Sequence, residues 1–167
     1  MILVVLENQR GNIHAFSQEA VAAGQQLSTK LGLDLSILCL GENASALKEQ
    51  ASNYKVKNLI LAQHDLISSY SADGYSKALD QVISELSPKY VLMGHSYMVR
   101  DFLPRVSAKS DVPFISDIIS VTYHDNVPIF ARQVFNAKIA TNVQADSNNN
   151  TILLSFQSAA FSSDDIE

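Results

Sequence analysis

The sequence predicts an α/β fold in which an open, mainly parallel sheet, ordered about 3-2-1-4-5, is finished by antiparallel strands at the C-terminal end. Two observations predict it. Over the first two thirds of the chain, short runs of branched aliphatics alternate with longer amphipathic stretches, the pattern of βαβ units. After about residue 112 no helical period of useful length recurs, and β-rich runs follow one another directly.

Taken in order, Ile2–Leu6, Leu35–Leu40, Asn58–Ala62 and Tyr90–Met93 are nearly continuous in apolar residues, as expected of parallel strands covered by helices on both faces. Between the first two, Phe16, Ala20, Ala23, Leu27 and Leu31 fall on one helical face, with Ser17 as N-cap and Gly32 as the C-terminal stop. Asn43 through Ala51 reads as a shorter helix capped by Asn43 or Ser45. Ser71 opens another, in which Tyr75, Leu79, Val82 and Leu86 repeat on one face before Pro88 ends it. The late β-rich runs are Ile115–Tyr123, Ile129–Phe135, Lys138–Ala145 and Thr151–Phe156, with turns at Asp125-Asn126, at Asn136 and over Asp146–Asn150. Residues 1–157 are expected to form one domain, and the polar, acidic residues 158–167 a linker or frayed tail.

At 167 residues and 47% hydrophobic, the chain can bury a single core. No apolar run approaches the roughly 20 residues of a membrane-spanning helix, so membrane insertion is not expected. The net charge of −5 is concentrated at the end, in Asp164, Asp165 and Glu167. With 12 basic residues against 17 acidic ones and no basic run, nucleic acid is set aside as a partner. The lone Cys39 lies in an apolar run, which excludes an internal disulfide or a CxxC site and fits a reducing, cytoplasmic compartment. Met1–Leu6 lacks a basic flank and reads as the first strand rather than a signal peptide.

The stretch after the fourth strand, Gly94-His95-Ser96-Tyr97-Met98-Val99-Arg100-Asp101-Phe102-Leu103-Pro104-Arg105, is the most informative. At the carboxyl end of a central strand, Gly94 and Ser96 with Arg100 could hold an anion. The structural alternative makes Gly94 a tight turn, Asp101 the N-cap of the next helix, Pro104 a first-turn residue and the arginines ion-pair residues. A solitary Gly-x-Ser favours the structural alternative. The loop Glu7–Asn12 has one glycine, and neither GxGxxG nor a P-loop occurs anywhere; the loop is therefore read as a turn, with ligand contact by Asn8 or Arg10 as the lesser alternative. His14, His64, His95 and His124 have no metal-ligand spacing, Asp65, Asp73 and Asp80 mark no catalytic pair, and Gly94–Met98 fails the GxSxG elbow.

Several segments together resemble one family, the α subunits of electron transfer flavoproteins. Ile2-Leu3-Val4-Val5-Leu6-Glu7 resembles its first strand, and Gly94-His95-Ser96 with Arg100-Asp101 and Pro104-Arg105 its Gly-x-[ST]-x-x-x-Arg-Asp-x-x-Pro-Arg segment. Ile115-Ser116-Asp117-Ile118, Pro128–Ala131 with Asn136-Ala137-Lys138, and the closing Phe156–Phe161 extend the likeness over nearly the whole chain. Gln157 and Ala159-Ala160 depart from the family's usual Arg-Pro ending. The resemblance implies an adenine-nucleotide-hydrolase-like or Rossmann-like fold. It also implies a β-subunit partner and a heterodimer that carries electrons from dehydrogenases to an acceptor through FAD.

The flavin lies mainly on a second α-subunit domain not represented in this sequence, so no FAD is expected on this chain alone and no catalytic residue is transferred. The ending at Asp164–Glu167 favours a fragment. The expected role is that of a scaffold, with a subunit interface in the late β-rich region. There Ile129, Phe130, Val134, Phe135, Ile139 and Val143 outnumber what one inward sheet face needs, so self-association is a second expectation. The rival reading is a free-standing nucleotide-binding module resembling universal stress proteins, whose glycine-rich phosphate loop is missing after Gly94.

Overall fold

A computed structural model describes residues 1–41, 43–146 and 150–167. Strand β1 (Ile2–Leu6) passes through a two-rung ladder, β2 (Asn8–Gln9) with β3 (Asn12–Ile13), into helix α1 (Ala15–Leu31). Arg10 and Gly11 turn that ladder at positive φ, and the Asn8 side chain accepts the Gly11 N–H. The cap of α1 is His14 and not Ser17: His14 Nδ1 accepts the Phe16 N–H, while Ser17 is buried inside the first turn and accepts the Glu7 N–H. Gly32 ends the helix at φ 64°, the left-handed stop that glycine takes without strain.

There follow β4 (Leu35–Leu40), α2 (Ala44–Gln50), β5 (Asn58–Ala62) and α3 (Ala72–Leu86). Asn43 occupies the α2 cap position without a side-chain capping bond, whereas Ser71 caps α3 by accepting the Gly74 N–H. The second half comprises β6 (Tyr90–Gly94), α4 (Tyr97–Ser110), β7 (Phe114–His124), β8 (Val127–Val134), β9 (Ile139–Val143) and β10 (Ile152–Phe156).

Helix α4 starts earlier than the sequence suggests, with Ser96 as its cap, so Asp101 is an interior residue. Pro104 likewise lies inside the helix rather than in its first turn. The local break that proline causes is overridden by packing, since Val99, Phe102, Leu103 and Val106 all bury one face.

One eight-stranded sheet runs β5-β4-β1-β6-β10-β7-β8-β9. The first four places are the expected 3-2-1-4 series. The fifth is taken by β10, late in the chain, which lies parallel to both β6 and β7. All five β10 residues are buried, whereas the later part of β7 alternates in exposure, so burial assigns the central place to β10. Strands β7, β8 and β9 are antiparallel, as predicted.

Asp125 and Asn126 make the β7–β8 turn with φ of 50° and 62°, the left-handed pair of a tight hairpin. Phe135, which the sequence places in a strand, instead joins Asn136 and Ala137 in the left-handed β8–β9 turn. The turn predicted over Asp146–Asn150 falls partly outside the described residues. Strand β5 is only half-covered because it is an edge, so the expectation of two covered faces fails there.

Alternate residues of the central strands feed two cores. Val4, Leu6, Ile37, Leu92, Leu154 and Phe156 pack with Ala20, Ala23 and Leu27 of α1. Leu3, Val5, Leu38, Val91 and Leu153 pack with Leu79 of α3 and Phe102 and Leu103 of α4. Cys39 lies in the first core, where burial pushes its thiol up to about 11. The segment expected as a frayed tail crosses α1 instead: Phe161 meets Phe156 edge-to-face at 5.1 Å, and the Glu167 carbonyl accepts from Lys55 N–H at 2.7 Å and from Gln25 at 2.9 Å. Among the described residues no helix is long and apolar enough to cross a membrane.

Candidate functional site

In open α/β sheets, ligand crevices form at the carboxyl ends of the strands, here around Glu7, Gly94-His95-Ser96 and Ser155. Gly94 ends β6 under the first turn of α1. A Cβ at that position would come within 2.4 Å of Phe16 Cβ and 2.5 Å of its carbonyl oxygen, so only glycine allows this helix–strand approach. Ser96 is 5% exposed. Its oxygen accepts the Val99 N–H at 3.2 Å as the α4 cap, and its hydroxyl donates to the Glu7 carboxylate. The place beside the helix N-terminus that an anionic ligand would use is thus taken by the chain's own carboxylate. Arg100 is not joined to Gly94 and Ser96 in one site; its guanidinium lies 5.5 Å from the ring centroid of the exposed Tyr97.

Beside this loop a second group gathers residues distant in sequence. His95 Nδ1 lies 2.8 Å from Ser155 Oγ, which also accepts the Asp117 N–H at 3.2 Å, and His95 Nε2 lies 4.0 Å from Asp117 Oδ1. Asp117 stands in the left-handed region at φ 59°, where the pairing of β7 with β10 shifts register. The imidazole's pKa is lowered first by desolvation and further by the Arg100 and Arg132 charges, against the opposing pull of Asp117. Ser155, His95 and Asp117 have the residue types of a nucleophile relay, but Ser155 is fully buried, with its oxygen held between His95 Nδ1 and the Asp117 N–H. The sequence carried only faint signals for this cluster: a serine inside the apolar run Ile152–Phe156, and an aspartate inside a strand.

Asp101 and Arg105 serve a network on the outer side of α4. Arg105 pairs with Asp73 at 3.1 Å and with Asp101 at 3.4 Å, and the Tyr70 hydroxyl donates to Asp101 at 2.7 Å. Desolvation, then this contact with Asp101, holds the Tyr70 phenol well above its usual range. The remaining histidines are dispersed: His14 and His64 cap helical turns, and His124 lies exposed beside Asp125. Among the described residues no group of three or more His, Cys, Asp or Glu side chains could hold a metal ion.

The six late apolar residues divide. Phe130 is 1% exposed and belongs to the α1-side core, against which Val143 also packs. Ile129 and Val134 are half-buried, whereas Phe135 and Ile139 are 75% and 54% exposed at the β8–β9 turn. Phe130 is therefore a core residue, buried in the α1-side cluster together with Ile118 and Phe156. Away from the crevice, a cavity of about 790 Å³ lies among the C-terminal half of α1, Lys55–Lys57, Val121, Tyr123 and Phe161.

The family model for the electron transfer flavoprotein domain matches residues 2–166. The chain is similar to the electron transfer flavoprotein subunit alpha of Bacillus subtilis, 29% identical over 82% of this chain and 42% of that protein. It is also similar to a probable mitochondrial electron transfer flavoprotein subunit alpha of Caenorhabditis elegans, 26% identical over 95% of this chain and 46% of that one. A third relative is the acryloyl-CoA reductase electron transfer subunit beta of Anaerotignum propionicum, 26% identical over 70% of this chain and 32% of that protein. The chain thus spans less than half the length of these relatives.

Proposed function

This chain belongs to the electron transfer flavoprotein domain family, and we propose that it is the scaffold and subunit-interface domain of an α subunit. In this reading it docks against a β subunit in a cytoplasmic heterodimer that carries electrons from dehydrogenases to an acceptor. The observation that carries the reading is the apolar surface at the β8–β9 turn. Phe135 and Ile139 stand out of the core on the outermost ribbon of the sheet, and exposed aromatic and aliphatic side chains of this kind are the anchors of protein interfaces.

FAD supplies the redox chemistry of the whole assembly, but the crevice of this chain does not fit a dinucleotide pyrophosphate. The Glu7 carboxylate already sits against Ser96 at the α4 N-terminus, and a phosphate there would meet a negative charge. The chain's own residues supply shape instead: Gly94 admits α1 against β6, and Ser96 fixes the start of α4.

Titration calorimetry with an electron transfer flavoprotein β subunit tests the proposal. Binding with a clearly negative heat-capacity change is expected. A well-folded monomer with no detectable binding refutes it.

A further inference from the structure

Among the described residues, the buried side-chain nitrogen left without a hydrogen-bond partner is Nε of Arg132. A guanidinium always carries its charge and offers five donors in a rigid fork, so a buried, unmet Nε–H indicates a missing acceptor. Arg132 lies on β8, two residues beyond the buried Phe130 and paired with Ile118, directly after the left-handed Asp117. Ile118, its partner across the strands, follows Asp117, whose Oδ1 lies 4.0 Å from His95 Nε2, and the Arg132 charge is felt at His95.

Among the described residues no carboxylate of the chain forms an ion pair with Arg132. Glu7 is engaged by Ser96, and Asp117 Oδ1 stands 4.0 Å from His95 Nε2, too far for a hydrogen bond. The His95 ring is anchored through Nδ1 to Ser155, with Nε2 turned toward Asp117 Oδ1 at 4.0 Å.

We infer that Arg132, paired across the strands with Ile118 beside the Asp117–His95 contact, is a receptor for one oxyanion group of the carboxylate or phosphate kind. A planar fork with an inward Nε–H takes two oxygens of such a group side by side. The site differs from the anion position suggested by Gly94 and Ser96, because Ser96 is already committed to Glu7 and to its own helix. The oxyanion can arrive as a free ion or on a carboxylate side chain of the β subunit, and the test separates the two.

The Nε–H resonance of Arg132 and the ring resonances of His95 are followed by NMR in the full chain, first with inorganic phosphate and then with the β subunit. Saturable movement of both residues with phosphate, together with an upward shift of the pH at which His95 protonates, identifies a free-ion site. Movement only with the β subunit, lost when high phosphate competes, identifies a carboxylate of the partner. In Arg132→Gln the His95 response to either probe is expected to vanish. Arg132→Lys, which keeps the charge and loses the fork, should weaken binding at least tenfold and guards against a folding defect in the glutamine variant. If neither probe moves Arg132, or if the His95 response survives in Arg132→Gln, the inference is overturned. The phosphate measurement does not depend on the subunit reading. A β subunit that binds tightly without touching Arg132, with no phosphate response either, would leave that reading standing and remove this one.

Discussion

Replacing Ser96 with alanine separates two accounts of how α4 begins. The sequence suggests that Asp101 caps the helix, whereas the structure gives that role to Ser96 and makes Asp101 an interior surface residue. Loss of an N-cap costs about 1 kcal/mol. Ser96→Ala also deprives the Glu7 carboxylate of a donor in a nearly buried setting, and hydrogen bonds to charged groups are worth about 1.5–3 kcal/mol, less here because Glu7 is itself part-exposed. A total near 2 kcal/mol is expected. Asp101→Ala loses a half-exposed ion pair with Arg105, worth about 0.5 kcal/mol. It also loses the Tyr70 contact, worth about 1 kcal/mol, while alanine regains up to about 0.7 kcal/mol of helix propensity.

Asp101→Ala should therefore cost under about 1 kcal/mol net. With a urea slope of about 2 kcal/mol/M, the midpoints should fall by about 1 M for Ser96→Ala and by under 0.5 M for Asp101→Ala. Equilibrium unfolding followed by circular dichroism reads both, and Ser96→Thr should retain most of the stability as the conservative control. An Asp101→Ala shift equal to or larger than that of Ser96→Ala would show the capping argument to be wrong.

Three further outcomes follow from the same geometry. His95 has a folded-state pKa below its unfolded value, so the unfolded chain binds the extra proton; stability present at pH 7 is lost as the pH falls below about 6.5, and in thermal melts His95→Asn should flatten that slope. Phe130→Ala should cost about 3–5 kcal/mol, whereas Phe135→Ser and Ile139→Ser should change stability by no more than about 0.5 kcal/mol and instead weaken β-subunit binding several-fold. Gly94→Ala should lose about 1–3 kcal/mol by overpacking against Phe16, measured by urea unfolding.

The sequence alone determined the features that depend on near neighbours. Continuous aliphatic runs announced the central strands, Ser71 announced the start of α3, Gly32 the end of α1, and Asp125-Asn126 the β7–β8 hairpin, because caps, stops and tight turns are settled by residues within a few positions of one another. The family likeness was legible for the same reason, in short contiguous segments. Only the tertiary structure decided which strand lies beside β6. Chain order puts β7 next, but β10 takes the place because every one of its residues can be buried on both faces and those of β7 cannot. The α4 boundary escaped local reading as well, since Pro104 argues against a helix that the burial of Phe102 and Leu103 nevertheless holds together. The His95–Ser155 contact joins residues 60 positions apart, and Asp117 approaches His95 from yet another strand. Such a cluster exists only once non-local strand pairing has been made, and that pairing is selected by total burial, a property of the assembled sheet that no window of sequence contains.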